Sequence, residues 1–293
     1  MVASKRDRWA EWLAERRFGG DAATRDRLLG QLAARRERVL DFAELRVGGT
    51  LLDVGCGEGL IGFGALERGA GRVIFSDISE DLLAVCRQAA ADLDLLDRCR
   101  FIRASADDLS PIDDAAVDVV TTRSVLIYVQ DKRAALGEFM RVLRPGGRIS
   151  LFEPINRFAI RQQATWAGYE LGEVAEIGEK VRAVYEQIQP ESDPMLDFDE
   201  RDLLELAEEA GFYPLHLLLE AEISPIEPRS WEGFVYSAGN PKIPTFAEAM
   251  QQALTESERD RLIAHLRPLV EQGQGEWRMA MAHVYGSKSA RAD

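Results

Sequence analysis

The feature that most constrains this chain is the rhythm of residues 50–154, where short apolar runs alternate with amphipathic helical stretches. The runs are TLLDV (50–54), RVIFS (72–76), RFIRA (100–104), VDVVTT (117–122) and RISLFE (148–153). Between them the spacing predicts helices near 59–69, 79–92 and 131–143. Strands alternating with helices of about ten or more residues build a parallel sheet with helices on both faces. Ser79 is placed to cap the second helix, and Glu80 and Asp81 lie near the positive end of its dipole.

The flanks read differently. Residues 1–47 are expected to be helical, with Leu28, Leu32, Val39 and Ala43 on one face. Gly19-Gly20-Asp21 divides this stretch, Asp21 serving as an N-cap, and Gly48-Gly49 ends it. Residues 155–196 read as mostly helical, without a strand. Asp197 and Glu200 have capping-box spacing ahead of a helix carrying Leu203, Leu204, Ala207 and Ala210, closed by Gly211. A strand is expected at about 213–222. Residues 224–275 form a second insertion, with Thr255 and Glu258 as another capping box, and 277–286 form the last strand. The expected organisation is an N-terminal helical cap (1–47), a nucleoside-binding core (48–154), a helical insertion (155–196), a core helix and strand (197–223), a second insertion (224–275), and a last strand with its tail (276–293).

The strongest chemical signal is LLDVGCGEG at 51–59. A strand runs into Gly55, Cys56, Gly57 and Gly59, and a helix starts just beyond. Glycines let such a turn approach a ligand closely. The next strand ends in Asp77, twenty residues after Gly57, where a carboxylate can accept from both hydroxyls of a ribose. A dinucleotide loop needs G-x-G-x-x-G. Here the sixth position from Gly55 is Leu60, and Glu58 crowds the approach a pyrophosphate would need. The pattern leans away from a nicotinamide dinucleotide and toward an adenosine ligand without phosphate. Two structural readings stay open: Asp53 as a cap of the loop, and Asp77 as a helix cap together with Ser79.

Charge narrows the partners. With 36 Lys and Arg against 50 Asp and Glu, the net charge is −14. Such a surface repels phosphate backbones and anionic lipid, so neither nucleic acid nor a membrane is expected as a partner. No 18-residue apolar run is present, and the charged start lacks the apolar region of a signal peptide, which makes the cytoplasm the expected compartment. Cys56, Cys86 and Cys99 fit neither a disulfide framework nor a zinc site, and no metal is expected. Glu170, Glu173, Glu176 and Glu179, spaced by three, drift around a helix and read as a solvated face.

Taken in order, LLDVGCGEG, SDIS (76–79), ASADDLSP (104–111) and VLRPGG (142–147) resemble the motifs of the class I S-adenosylmethionine-dependent methyltransferases, over roughly 48–154. The resemblance implies an α/β fold: a Rossmann-like seven-stranded, mostly parallel sheet with the last strand antiparallel. The N-terminal helical cap and the helical insertions would form a lid. It implies S-adenosylmethionine as cofactor and S-adenosylhomocysteine as product. By position, Asp53, Gly55 and Gly57 would hold the methionine end, Asp77 the ribose, and Ile78 one face of the adenine. Ala106 would offer its backbone N–H to the ring. Where relatives often carry an acidic residue before that alanine, this chain has Ser105, so either its hydroxyl or Asp107 would read the adenine amino group.

On the acceptor side, Arg123 stands at the end of the fourth strand and Glu153 at the end of the fifth, neighbours in this fold. Either they form an ion pair, or Arg123 grips a carboxylate on the acceptor with the paired geometry a guanidinium favours. Tyr128 is placed to line the acceptor or take its proton. Trp166 and Tyr169 are candidate pocket walls, because all five tryptophans fall outside 48–154. His216, His265 and His283 read as structural. The expected activity is methyl transfer to a small molecule or short peptide, with O-methylation favoured over nitrogen or carbon. A non-catalytic cofactor-binding protein and an NAD-dependent oxidoreductase are the rivals.

Overall fold

A computed structural model describes residues 6–20, 22–159 and 165–290. Asp21 and the side chain of Leu28 lie outside the described residues. The strands are β1 (Thr50–Val54), β2 (Arg72–Asp77), β3 (Cys99–Arg103), β4 (Val117–Arg123), β5 (Leu143–Pro154), β6 (Thr165–Trp166), β7 (Tyr169–Glu170), β8 (Leu215–Pro225) and β9 (Glu276–Ser287). Seven of them make one sheet in the order β3-β2-β1-β4-β5-β9-β8. Strands β1 to β5 pair in parallel, and β9 runs antiparallel to β5. The strand order reverses between β2 and β4 on either side of β1, which is where open α/β sheets bind ligands at their carboxyl ends.

Local chemistry sets the crossover helices. The helix Glu80–Asp92 begins at Ser79, whose hydroxyl accepts from Leu82 N at 3.1 Å. The helix Lys132–Val142 begins at Asp131, which accepts from Ala134 N at 2.8 Å. The helix Leu60–Glu67 lacks a side-chain cap at Gly59; Asp53 of β1 supplies one instead. Strand β5 starts earlier than its apolar run suggests. Leu143 already pairs with Val117, and the following Arg-Pro-Gly-Gly turn is absorbed as a register slip before Arg148 pairs with Val119.

Two compact units emerge. The first comprises Gln31–Ile155, Phe198–Glu220 and Met281–Asp293. Its core includes Val39, Leu51, Val73 and Phe152, with Phe75 fully buried between Phe63 (centroids 5.0 Å apart) and Phe101 (5.4 Å). The second comprises Met1–Gly30, Asn156–Asp197 and Ala221–Ala280, so it gathers the start of the chain with both insertions. Trp12 ties its first segment in, donating from Nε1 to the Ala238 carbonyl at 2.8 Å. Its helices Ala175–Ile188, Trp231–Val235, Phe246–Ala253 and Glu256–Gln272 close around Val181, Phe234, Phe246, Leu262 and Leu266.

Local expectations need correction at two places. Residues 155–196 do contain strands: β6 and β7 form a hairpin whose two turn residues, Ala167 and Gly168, both have positive φ (49° and 91°). That backbone matches the twist of flanking strands. The capping box before the helix Glu200–Glu209 is Asp199 with Asp202, two residues later than Asp197 with Glu200. Asp197 instead sits in a turn, its N–H donating to Asp193 O at 3.0 Å. The Thr255–Glu258 box forms as expected, and Gly211 ends its helix at φ 98°.

Candidate active site

The glycine loop leaves β1 with Gly55, Gly57 and Gly59 all at positive φ. Two of these positions are closed to any side chain. A Cβ on Gly55 would lie 2.5 Å from a methyl of Val125, and one on Gly59 would lie 2.5 Å from the Phe63 ring. Gly57 is different, because a Cβ there would meet nothing within 4 Å. Its glycine supports a positive φ (55°) beside open space, as a loop lying under a ligand requires.

Asp77 ties the second strand to that loop. Its Oδ2 accepts from Gly57 N and its Oδ1 from Ser79 N, both at 2.9 Å. The helix-cap reading and the ligand reading therefore meet in one carboxylate. Next to it Ile78 is 43% exposed, an apolar side chain open to a flat partner. Ala106 is buried, and the Ser105 hydroxyl is hydrogen-bonded to the Asp107 carboxylate. The two candidates for the adenine amino group thus act as one pair. These features fit an adenosine: a backbone turn with free space, a carboxylate beside it, and an apolar face next in sequence.

Asp53 is buried, with Oδ2 accepting from Gly62 N at 2.9 Å and Oδ1 facing the Thr121 hydroxyl at 3.4 Å. Burial pushes its carboxyl up to about 7, while the Gly62 amide and the charge of Arg123 pull in the opposite direction. Arg123 therefore lies within electrostatic reach of Asp53. The Cys56 thiol is pushed up by its contact with Cys86 and by burial, which keeps it protonated and unreactive.

Glu153 is fully buried. Its hydrogen bonds run to the Thr122 hydroxyl (2.8 Å) and to the Val125 and Ile127 amides, so this carboxylate faces a turn of its own chain. That turn contains Tyr128, whose N–H donates to Val125 O at 2.9 Å. Trp166 and Tyr169 belong to the second unit. Trp166 stacks on Phe246 with centroids 4.9 Å apart, and Tyr169 is fully buried against Phe234. Tyr169 is a core residue of that unit, and Trp166 packs, partly buried, against the same core. Among the histidines, His265 Nε2 lies 2.9 Å from Glu170 O, and His283 is buried between Phe42 and Phe152.

Sequence reasoning missed Val125, Thr122 and Gly62. Only Thr122 left a trace, as a polar residue at the end of an otherwise apolar run. Among the described residues no cluster of His, Cys, Asp and Glu could hold a metal, and no helix is long and apolar enough to cross a membrane.

Residues 52–151 match the model of a methyltransferase domain. The ubiquinone/menaquinone biosynthesis C-methyltransferase UbiE of Idiomarina loihiensis is 34% identical over 116 residues, covering 39% of this chain and 46% of that protein. The same-named protein of Hahella chejuensis is 36% identical over 116 residues, with the same coverage. The chain thus spans less than half the length of these curated relatives. A solved structure from Bacillus halodurans C-125 superposes with a TM-score of 0.54 at 19% identity, over 87% of this chain and 99% of that one. Geranyl diphosphate methyltransferase in complex with S-adenosylmethionine superposes with a TM-score of 0.51 at 19% identity, over 90% and 91%. Sheet order, loop geometry and these matches agree: residues 52–151 match a methyltransferase domain, and the chain has the fold of the class I S-adenosylmethionine-dependent methyltransferases.

Proposed function

We propose that this protein transfers a methyl group from S-adenosylmethionine to a carboxylate-bearing small molecule, with oxygen as the acceptor atom. The observation that carries the reading is the open turn at Gly57 joined to the Asp77 carboxylate. Asp53 and the Gly55 and Gly57 backbone would hold the methionine end. Asp77 would hold the ribose, Ile78 and the Ala106 amide the adenine ring, and the Ser105–Asp107 pair its amino group. When bound, the cofactor supplies a methyl group already activated by its sulfonium.

The chain's task is then to position the acceptor, with reacting atoms about 3–3.5 Å apart. Arg123, at the end of β4, is placed to grip an acceptor carboxylate through two parallel hydrogen bonds. An ionised oxygen needs no base; an acceptor that still carries its proton would give it to the Tyr128 oxygen in its phenolate form, returning the neutral phenol. C-methylation is the second reading, favoured by the names of the curated relatives.

Methyl-labelled S-adenosylmethionine, incubated with a panel of carboxylate-bearing and neutral acceptors, tests the proposal. Label should pass to carboxylate-bearing acceptors. In Arg123→Ala, acceptor KM should rise about tenfold or more, with S-adenosylhomocysteine Kd changed by less than about twofold. The assay belongs at about pH 8.5, because Arg123 also lowers the pKa of Asp53 and both enzymes must hold that carboxylate ionised. Equal effects on both constants, or none, would contradict the role of Arg123. Transfer to neutral acceptors alone would contradict the carboxylate requirement.

A further inference from the structure

Glu153 ends β5 with no exposed surface at all. A charge that deep persists only where donors surround it. Its Oε1 accepts from Thr122 Oγ1 at 2.8 Å and from Val125 N at 3.1 Å, and its Oε2 accepts from Val125 N at 3.0 Å and Ile127 N at 3.4 Å. The amide donors all come from one turn, 124–128, which follows β4 and closes with the short 3-10 helix Leu126–Tyr128.

That turn is not one the chain adopts by default. Ser124 has φ 58°, a left-handed backbone that a non-glycine residue rarely takes. Its N–H donates to Phe152 O at 2.8 Å, so the residue before Glu153 also grips the turn. The turn in turn reaches the cofactor loop. The methyls of Val125 occupy the space beside Gly55, at 2.5 and 3.1 Å from where a Cβ would stand. Arg123, the last residue of β4, precedes the turn and Tyr128 ends it.

We infer that Glu153 is a positioning residue whose carboxylate holds the Ser124–Tyr128 turn, so that Val125 braces the glycine loop while Arg123 and Tyr128 are presented to the acceptor. The printed hydrogen bonds of the Glu153 carboxylate are to Thr122, Val125 and Ile127. The functional part of this inference rests on the methyltransferase reading above; the turn itself does not.

The carboxyl of Glu153 is pushed up to about 7 by burial, against the pull of the Thr122 hydroxyl and the Val125, Leu126 and Ile127 amides. The charged or titratable side chains on the surrounding elements include Arg123 and Asp118 on β4, Asp53 on β1, Tyr128 in the turn, Arg144 and Arg148 on β5, and Glu276, Arg278, His283 and Tyr285 on β9. Arg35 lies over the neighbouring Phe152 ring. Once protonated, the carboxyl accepts from the amides more weakly, and the turn loosens on the acid side.

The test combines Glu153→Gln with amide hydrogen exchange and S-adenosylhomocysteine titrations. Exchange across 124–128 should quicken about tenfold or more in the variant, and ligand affinity should fall about tenfold. Asp53 titrates in the same range, so the pH profile is taken in an Asp53→Asn background. Affinity there should fall as pH drops through about 7, and Glu153→Gln should remove that fall. Thr122→Val, which removes one donor and leaves the turn's own residues intact, should move the fall to higher pH; it serves if Glu153→Gln does not fold. Unchanged exchange in 124–128 overturns the inference. So does quickened exchange with unchanged affinity. A wild-type protein that binds no S-adenosylhomocysteine, while exchange still responds to Glu153→Gln, overturns the methyltransferase reading and with it the functional part, leaving only the brace.

Discussion

In Asp77→Ala, S-adenosylhomocysteine affinity is expected to fall by about 100-fold or more, the largest effect of any single substitution at the cofactor loop. The carboxylate has two structural bonds in the protein itself, to Gly57 N and Ser79 N at 2.9 Å each. Removing it leaves the loop and the start of the Glu80–Asp92 helix without their shared anchor, and takes away the proposed ribose acceptor. Hydrogen bonds to a charged group contribute about 1.5–3 kcal/mol each, so losing one to the ligand plus the preorganisation of the loop exceeds two decades in Kd. Asp77→Asn keeps the shape and one acceptor oxygen, and should lose about tenfold. Calorimetric titration measures both. An Asp77→Ala protein that binds within about threefold of wild type would mean the ribose lies elsewhere.

The second large effect is on stability, and its sign is unusual. Asp53 and Glu153 are both pushed up by burial to about 7, so the folded state holds their protons more tightly than the unfolded chain does. Their contribution to stability is greatest in acid and is lost as pH rises toward 7. Between about pH 8 and pH 5.5 each should stabilise the fold by roughly 2 kcal/mol on acidification, raising Tm by about 4–8 °C per carboxylate. His283 works in the opposite direction, because burial lowers its pKa and folding there resists protonation. The ion-paired carboxylates Glu37, Glu138 and Glu220 have lowered values and lose their contribution only in more acid solution. The measurement is Tm against pH for wild type, Asp53→Asn, Glu153→Gln and the double variant. Each single variant should flatten the rise by about half, and the double variant should leave only the His283 decline. A wild-type Tm that falls steadily from pH 8 to 5.5, with the double variant parallel to it, would show that neither carboxylate titrates there.

The two effects oppose one another at one place. Acidification strengthens the fold through Glu153 while it loosens the turn that Glu153 organises. Proteins commonly trade some stability for a group needed at a site, and an ionised carboxylate without exposure is such a group here.

Much of the core unit was legible because its signals are local. Alternating apolar runs, the glycine loop and the Ser79 cap each declare themselves within a few residues, and β1 to β4 fall within one or two residues of their expected bounds. The capping box at Asp199 was not, because Asp197 and Asp199 both have a competent partner three residues on. The β6–β7 hairpin was not, because two-residue strands carry no periodicity. At the site, Asp77 and Gly57 were readable from spacing. The role of Glu153 was not, since nothing in its neighbours says that a carboxylate will be buried, or that its donors will come from a turn about thirty residues earlier. Trp166 and Tyr169 show the limit of aromatic placement: aromatic residues clustered outside a cofactor segment look alike in sequence whether they line a pocket or fill a core, and in the structure Tyr169 is buried in a core with Trp166 partly buried against it.

The Gly55–Gly59 loop and Asp77 are proposed to hold S-adenosylmethionine. Equilibrium titration of the wild-type protein with S-adenosylhomocysteine, and separately with NAD, tests it most directly. Saturable binding of one S-adenosylhomocysteine per chain is expected, with an accompanying rise in Tm and no response to NAD; saturable binding of NAD, or of neither ligand, would overturn that role.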